Sequence, residues 1–213
     1  MKRVGSSRRA TAGFTLVELM AVMIILAILM VFLLPRLTRV AETVQGKATA
    51  SFIRGSLSVA IQSWESETGS YPPSAWDEEL GAAPNASNLG SEALFLALWS
   101  ERMQGMNIDD DNLGNTDGDR TRKAMSMFGS DDLFEVCDGW KNPIAYFHRS
   151  DYGRKDVYVT INNETGQLEQ TVVEARMSPK TRSYYQLRTF QLISAGPDGV
   201  FNTPDDITNF SKE

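Results

Sequence analysis

From Phe14 to Leu34 the chain runs through 21 residues of which only Glu18 carries a charge, and beyond Pro35 its apolar positions become periodic. At ~1.5 Å per residue the first stretch makes about 30 Å of helix, the thickness of a bilayer's hydrocarbon core, so it is expected to cross a membrane. The second stretch places Val40, Val44, Ala48, Phe52, Ile53, Leu57, Ala60, Ile61 and Trp64 at steps of one, three and four. Arg39, Glu42, Lys47, Arg54 and Ser58 lie opposite, which is the pattern of an amphipathic helix. Thr68-Gly69 ends it before Tyr71-Pro72-Pro73. Together the stretches predict one helix of about 50 residues, kinked where Pro35 removes a hydrogen bond; two helices broken at Pro35 are the alternative.

Downstream signals are shorter. Leu94, Phe95, Leu98 and Trp99 share helical spacing and predict a helix over 91–103. Strands are expected at 144–147, 157–161, 168–173 and 190–193, where β-branched and aromatic residues cluster. Asp138 to Pro143 and Asn162 to Gly166 supply turns. The class is α+β: a long N-terminal helix packs through its second half on a small antiparallel sheet.

Charge orients the chain. Lys2, Arg3, Arg8 and Arg9 precede the apolar run with no acid among them, which keeps that end cytoplasmic and sends the C-terminal bulk across. Secretory signals place their small residue after the apolar core, whereas Gly13 stands before it, so ordinary secretory cleavage does not fit. Glu18 needs a reason, because a charge at bilayer depth costs roughly 2.5 to 3.5 kcal/mol. Either it stays wet at the headgroup boundary, or a cut between Gly13 and Phe14 creates an amine one turn away, at the spacing where side groups meet.

Gly13 followed by Phe14-Thr15-Leu16-Val17-Glu18 resembles the class III signal of type IV pilins and type II secretion pseudopilins. The resemblance implies a leader, 1–13, removed by a membrane prepilin peptidase, which then methylates the new N-terminal Phe14. It further implies a membrane and filament-core helix over 14–34, an amphipathic helix over 35–69 and a globular pilin-like domain over 70–213. Glu18 matches the family's assembly glutamate and Pro35 its helix-kinking proline. Glycine at the cut permits close approach of a protease.

Removing the leader leaves about 200 residues and shifts the net charge from −6 to about −10, so nucleic acid is not an expected partner. One cysteine, Cys137, allows no intrachain disulfide and reads as a buried small hydrophobe. One histidine, His148, gives no histidine-based catalysis or zinc site, and no nucleophile with a base or phosphate loop marks an enzyme. Aspartates crowd 109–119, and Asn115, Asp117 and Asp119 alternate as calcium-loop ligands do. Arg120 stands where such a loop needs glycine, so a solvated acidic loop is the other reading.

Two further segments resemble the major, G-type pseudopilins. Asp138-Gly139-Trp140-Lys141-Asn142-Pro143 is similar to their D-P-W-G-N-P turn, with glycine for proline and lysine for glycine. The C-terminal loop places Asp198, Asn202, Asp205 and Asp206 close to Gly196 and Gly199, and hard cations take such oxygens. On residues alone the loop is a calcium site or an acidic turn. Its similarity to the family's calcium loop implies side-chain ligands Asp198, Asp205 and Asp206, with the carbonyls of Ala195 and Thr203. Residues 151–185 exceed the family's compact sheet and are expected to form an added hairpin.

The resemblance implies a structural subunit of a type II secretion pseudopilus in the inner membrane, its body in the periplasm. Expected partners are identical subunits, minor pseudopilins, the prepilin peptidase and the inner-membrane assembly platform. A surface type IV pilin serving adhesion, motility or DNA uptake is the alternative, as is a minor pseudopilin. Such pilins often close a C-terminal loop with a disulfide, which one cysteine forbids.

Overall fold

The computed structural model describes residues 14–80, 82–103 and 110–211. Gly13, the rest of the expected leader and Asp109 lie outside the described residues. The chain divides into two units, Met1–Glu42 and Thr43–Glu213. In the first, helix α1 (Leu16–Phe52) begins. Its backbone stays helical through Pro35, so the break considered at that position does not occur.

In the second unit α1 passes into a single π-helical segment, Ile53–Leu57, and continues as α2 (Ser58–Thr68). The π segment inserts one residue into the α-helical count, and Ser58 closes it by donating to the Ile53 carbonyl at 2.6 Å. Gly69, at φ 83°, supplies the left-handed stop that the sequence announces.

The apolar stripe is shorter than its periodicity suggests. Val40, Val44 and Ala48 are exposed, and burial of one face begins at Thr49 and continues through Ile53 and Leu57. Ser58, expected on the polar face, is buried, while Arg54 donates from Nε to the Thr208 carbonyl at 2.9 Å. Periodicity identifies an amphipathic face but does not say where its partner surface ends.

Helix α3 is Leu89–Leu98, opening earlier and closing sooner than 91–103, with a separate 3₁₀ turn at Glu101–Met103. Among the described residues, seven strands form three small antiparallel sheets rather than one. They are β1 (Leu113–Gly114) with β2 (Glu135–Val136); β3 (Ala145–His148), β6 (Phe190–Ser194) and β7 (Ile207–Thr208); and β4 (Lys155–Ile161) with β5 (Leu168–Glu174). This is an α+β layout consistent with the pilin fold.

Both faces of the central sheet are covered. Tyr146 and Leu192, paired across β3 and β6, pack with Ile53, Leu57, Ile61 and Leu94 from the helices. Ala145 and Ile193, the next pair and pleated the opposite way, pack with Tyr158, Val173 and Phe201. The expected hairpin within 151–185 is β4 and β5, turned by Asn162 to Gly166. It supplies part of the core.

Candidate functional site

The N-terminal turn gives Glu18 a partner. Thr15 precedes α1, and its amide and hydroxyl both donate to Glu18 Oε2 at 2.8 Å. The Glu18 amide returns a bond to Thr15 Oγ1 at 3.3 Å. This reciprocal arrangement is a capping box, which satisfies amides that a helix start leaves free. The Thr-x-x-Glu spacing at the head of an apolar run is its signal in the sequence. Beyond it, none of the 18 residues from Leu16 to Leu33 is buried.

A second conjunction of residues forms around Asp138. Its Oδ1 accepts from the amides of Trp140 at 2.9 Å and Asn142 at 3.0 Å, and its Oδ2 accepts from Ser194 Oγ at 2.6 Å. The turn is docked on α1 by Gln45 Nε2, which donates to the Gly139 carbonyl, and by Thr49 Oγ1, which accepts from the Gly139 amide. Proline at 139 would lack that amide. Asn142 is bonded to both backbone groups of Ile161, fastening the turn to the end of β4.

Burial pushes the Asp138 carboxyl up to about 6, against the opposing pull of its hydrogen bonds. An acid with a raised folded pKa supports folding while protonated. Its contribution is full below the unfolded value of about 4 and is lost as pH rises through about 6. Asp138→Asn keeps an acceptor for both amides. Its denaturant midpoint is expected to fall less than that of the wild type across this interval; parallel profiles would contradict the assignment.

The C-terminal loop brings some of its expected ligands together. The Asp198 amide donates to Asp205 Oδ2 at 3.3 Å, and burial, reinforced by the Asp205 charge, raises the Asp198 pKa. Gly196, at φ 71°, lies so close that a Cβ there would stand 2.5 Å from the Asp205 carbonyl. Asp205 Oδ1 accepts from the Thr203 hydroxyl. Asp206 has a different commitment: it is ion-paired with Arg176 and also accepts from the Asn202 amide. Ala195, fully buried, follows β6.

A carboxylate pocket forms elsewhere. Single oxygens of Glu92, Asp117 and Glu135 lie within 4.8 Å of one another, with Asp119 alongside. Glu92 and Glu135 are fully buried. Asn88 Nδ2 donates to Glu135 Oε1 at 2.9 Å and the Thr116 amide to Glu135 Oε2 at 2.8 Å. Asn85 Nδ2 donates to Asp117 Oδ2 at 2.9 Å and to Asp119 Oδ2 at 3.1 Å. Among the described residues no donor group reaches either oxygen of Glu92, or Oδ1 of Asp117 or Asp119.

Burial is the largest cause throughout: with the neighbouring acidic charges it pushes Glu92 up to about 10, and with the Asp117 charge it raises Glu135 to about 8 and Asp119 to about 6. Of the alternating residues 115, 117 and 119, two acids reach the pocket, while Asn115 Oδ1 instead accepts the Gly118 and Asp119 amides and shapes the loop. Sequence reasoning missed Glu92 and Glu135. The available signal was an acid inside the apolar stretch 89–98.

Cys137 is free and buried, as expected of a small hydrophobe. His148 Nδ1 lies 2.6 Å from Ser150 Oγ.

Residues 8–34 match the family model for the prokaryotic N-terminal methylation motif. No curated protein and no solved structure matches the chain. The motif is the prepilin signal and takes in the apolar stretch Leu16–Leu33; with the small antiparallel sheets beyond, it supports a type IV pilin-like protein processed by prepilin peptidase.

Proposed function

We propose that the chain is a structural filament subunit, a pseudopilin of type II secretion. Cut between Gly13 and Phe14 and methylated on Phe14, it polymerises through the helix over 14–34. Its body stands in the periplasm, where assembly with identical subunits and minor pseudopilins, on the inner-membrane platform, drives export of folded cargo. One observation carries this reading: the matched methylation motif, residues 8–34, contains an apolar helical stretch whose residues Leu16 to Leu33 are all exposed. Such a surface needs lipid or other apolar helices around it, and the two environments are those of a waiting and an assembled subunit.

In the filament, Glu18 meets the Phe14 ammonium of a neighbour, which removes an unpaired charge from an apolar core. Small residues such as Ala21 and Ala27 let neighbouring helices approach. Calcium at the C-terminal loop belongs to the same reading, held by Asp198 and Asp205, which already face each other. Asp206, the next candidate ligand, is already ion-paired with Arg176 through Oδ2, so it would join them through Oδ1.

The single cysteine favours a pseudopilus over a surface pilus, whose C-terminal loop is often disulfide-closed. Deleting the gene is expected to leave folded cargo in the periplasm while surface filaments persist. Loss of surface filaments with export intact would instead identify a type IV pilin.

A further inference from the structure

We propose that the pocket of Glu92, Asp117, Asp119 and Glu135 is a divalent-cation site, with calcium the ion that its chemistry fits. It is separate from the C-terminal loop, and the proposal does not depend on the filament reading. The spacing suits an ion: oxygens sharing a calcium at roughly 2.3 to 2.6 Å stand no more than about 5 Å apart. Those of Glu92, Asp117 and Glu135 are within 4.8 Å of one another.

Glu92 is the independent sign of a missing ligand. It is fully buried, and among the described residues no donor group reaches either of its oxygens; the polar side chain beside it is another carboxyl, Asp119. Buried carboxylates are ordinarily paired, hydrogen-bonded or bound to metal, because an unpaired one is costly to desolvate. The neighbouring acids are held in place without being used up. Asn85 takes one oxygen of Asp117 and one of Asp119, leaving the Oδ1 of each unbonded. Asn88 and the Thr116 amide fix Glu135.

The donors are all oxygens, which selects a hard cation over zinc. A pocket walled by several carboxylates suits calcium, with its flexible shell of six to eight oxygens, better than magnesium, which retains several waters. The ion would tie α3, through Glu92, to the loop carrying Asp117 and to β2, through Glu135. The competing occupant is a proton shared between Glu92 and Asp119, which face each other.

The test uses the full chain in detergent micelles, as wild type, Glu92→Gln, Asp198→Asn and the double variant. Bound calcium is measured by equilibrium dialysis, and melting is followed in chelator and across a calcium titration. Glu92→Gln should lower bound calcium by one equivalent in both the wild-type and the Asp198→Asn backgrounds. In Asp198→Asn, free calcium about a hundredfold above Kd should raise the melting temperature by roughly 5 to 10 °C. Adding Glu92→Gln should abolish that rise and raise the melting temperature in chelator, since a neutral glutamine costs less to bury than a carboxyl group that must first take up a proton. Unchanged stoichiometry on losing Glu92, or identical melting of Asp198→Asn in chelator and calcium, would overturn the site and leave the shared proton.

Discussion

Glu18→Ala is expected to abolish filament assembly while leaving membrane insertion and leader cleavage intact. Insertion persists because the apolar helix loses only its single charge, which lowers the cost of burial in lipid. The helix start loses its capping box, at a cost of about 0.5 to 2 kcal/mol. That is small against a helix of 37 residues whose first half lipid stabilises. Assembly fails for a different reason: the Phe14 ammonium of each neighbour then enters an apolar core with no counter-charge. Glu18→Gln separates the two roles, since glutamine can complete a capping box but cannot neutralise an amine. Both variants should be inserted, cleaved and unassembled, as judged by fractionation and filament yield. Normal filaments from Glu18→Gln would reduce Glu18 to a helix cap.

The largest stability effect is expected from Gly199→Ala. Gly199 has φ 73°, and a Cβ built there would lie 2.0 Å from the Ile161 carbonyl oxygen and 2.9 Å from Asn142 Nδ2. The left-handed conformation costs about 1 to 2 kcal/mol for a residue with a side chain. Forced overpacking adds roughly 1 to 3 kcal/mol. The site is where the C-terminal loop, the Asp138 turn and the β4–β5 hairpin meet, with Asn163 also donating to the Asp198 and Pro197 carbonyls at 2.9 Å. A loss of a few kcal/mol is a large part of the 5–15 kcal/mol typical of a domain, so melting should fall by about 5 °C or more. Gly153→Ala, where no atom of the described residues stands within 4 Å of the added carbon, serves as control. Equal stability of the two variants would contradict the packing described.

The elements with strong local periods were legible from the sequence. The exposed apolar helix, the amphipathic continuation, the Gly69 stop and the strands β3 to β6 lie close to where the pattern puts them. Three features depend on what arrives from elsewhere in the chain. The π segment at Ile53–Leu57 sacrifices regular hydrogen bonding inside a run that reads as continuous α-helix, and both its ends, Ile53 and Leu57, are buried by the domain. The division into three sheets rests on pairings between residues far apart, such as Ala145 with Ile193.

The carboxylate pocket is the third. Asp117 and Asp119 announced themselves by alternation, but Glu92 sits on an apolar helix and Glu135 in a two-residue strand, so only the fold brings them together. Asp206 shows the converse. It reads as one acid of a cluster, and its commitment to Arg176 of another segment is invisible until that segment is placed.

The central claim is that Phe14 is the mature N-terminus and Glu18 serves assembly because of it. Mass spectrometry of the protein recovered from membranes tests this most directly. The expected result is a chain beginning at Phe14, heavier by one methyl group on its amine. An intact leader, or a cut anywhere other than between Gly13 and Phe14, would contradict it.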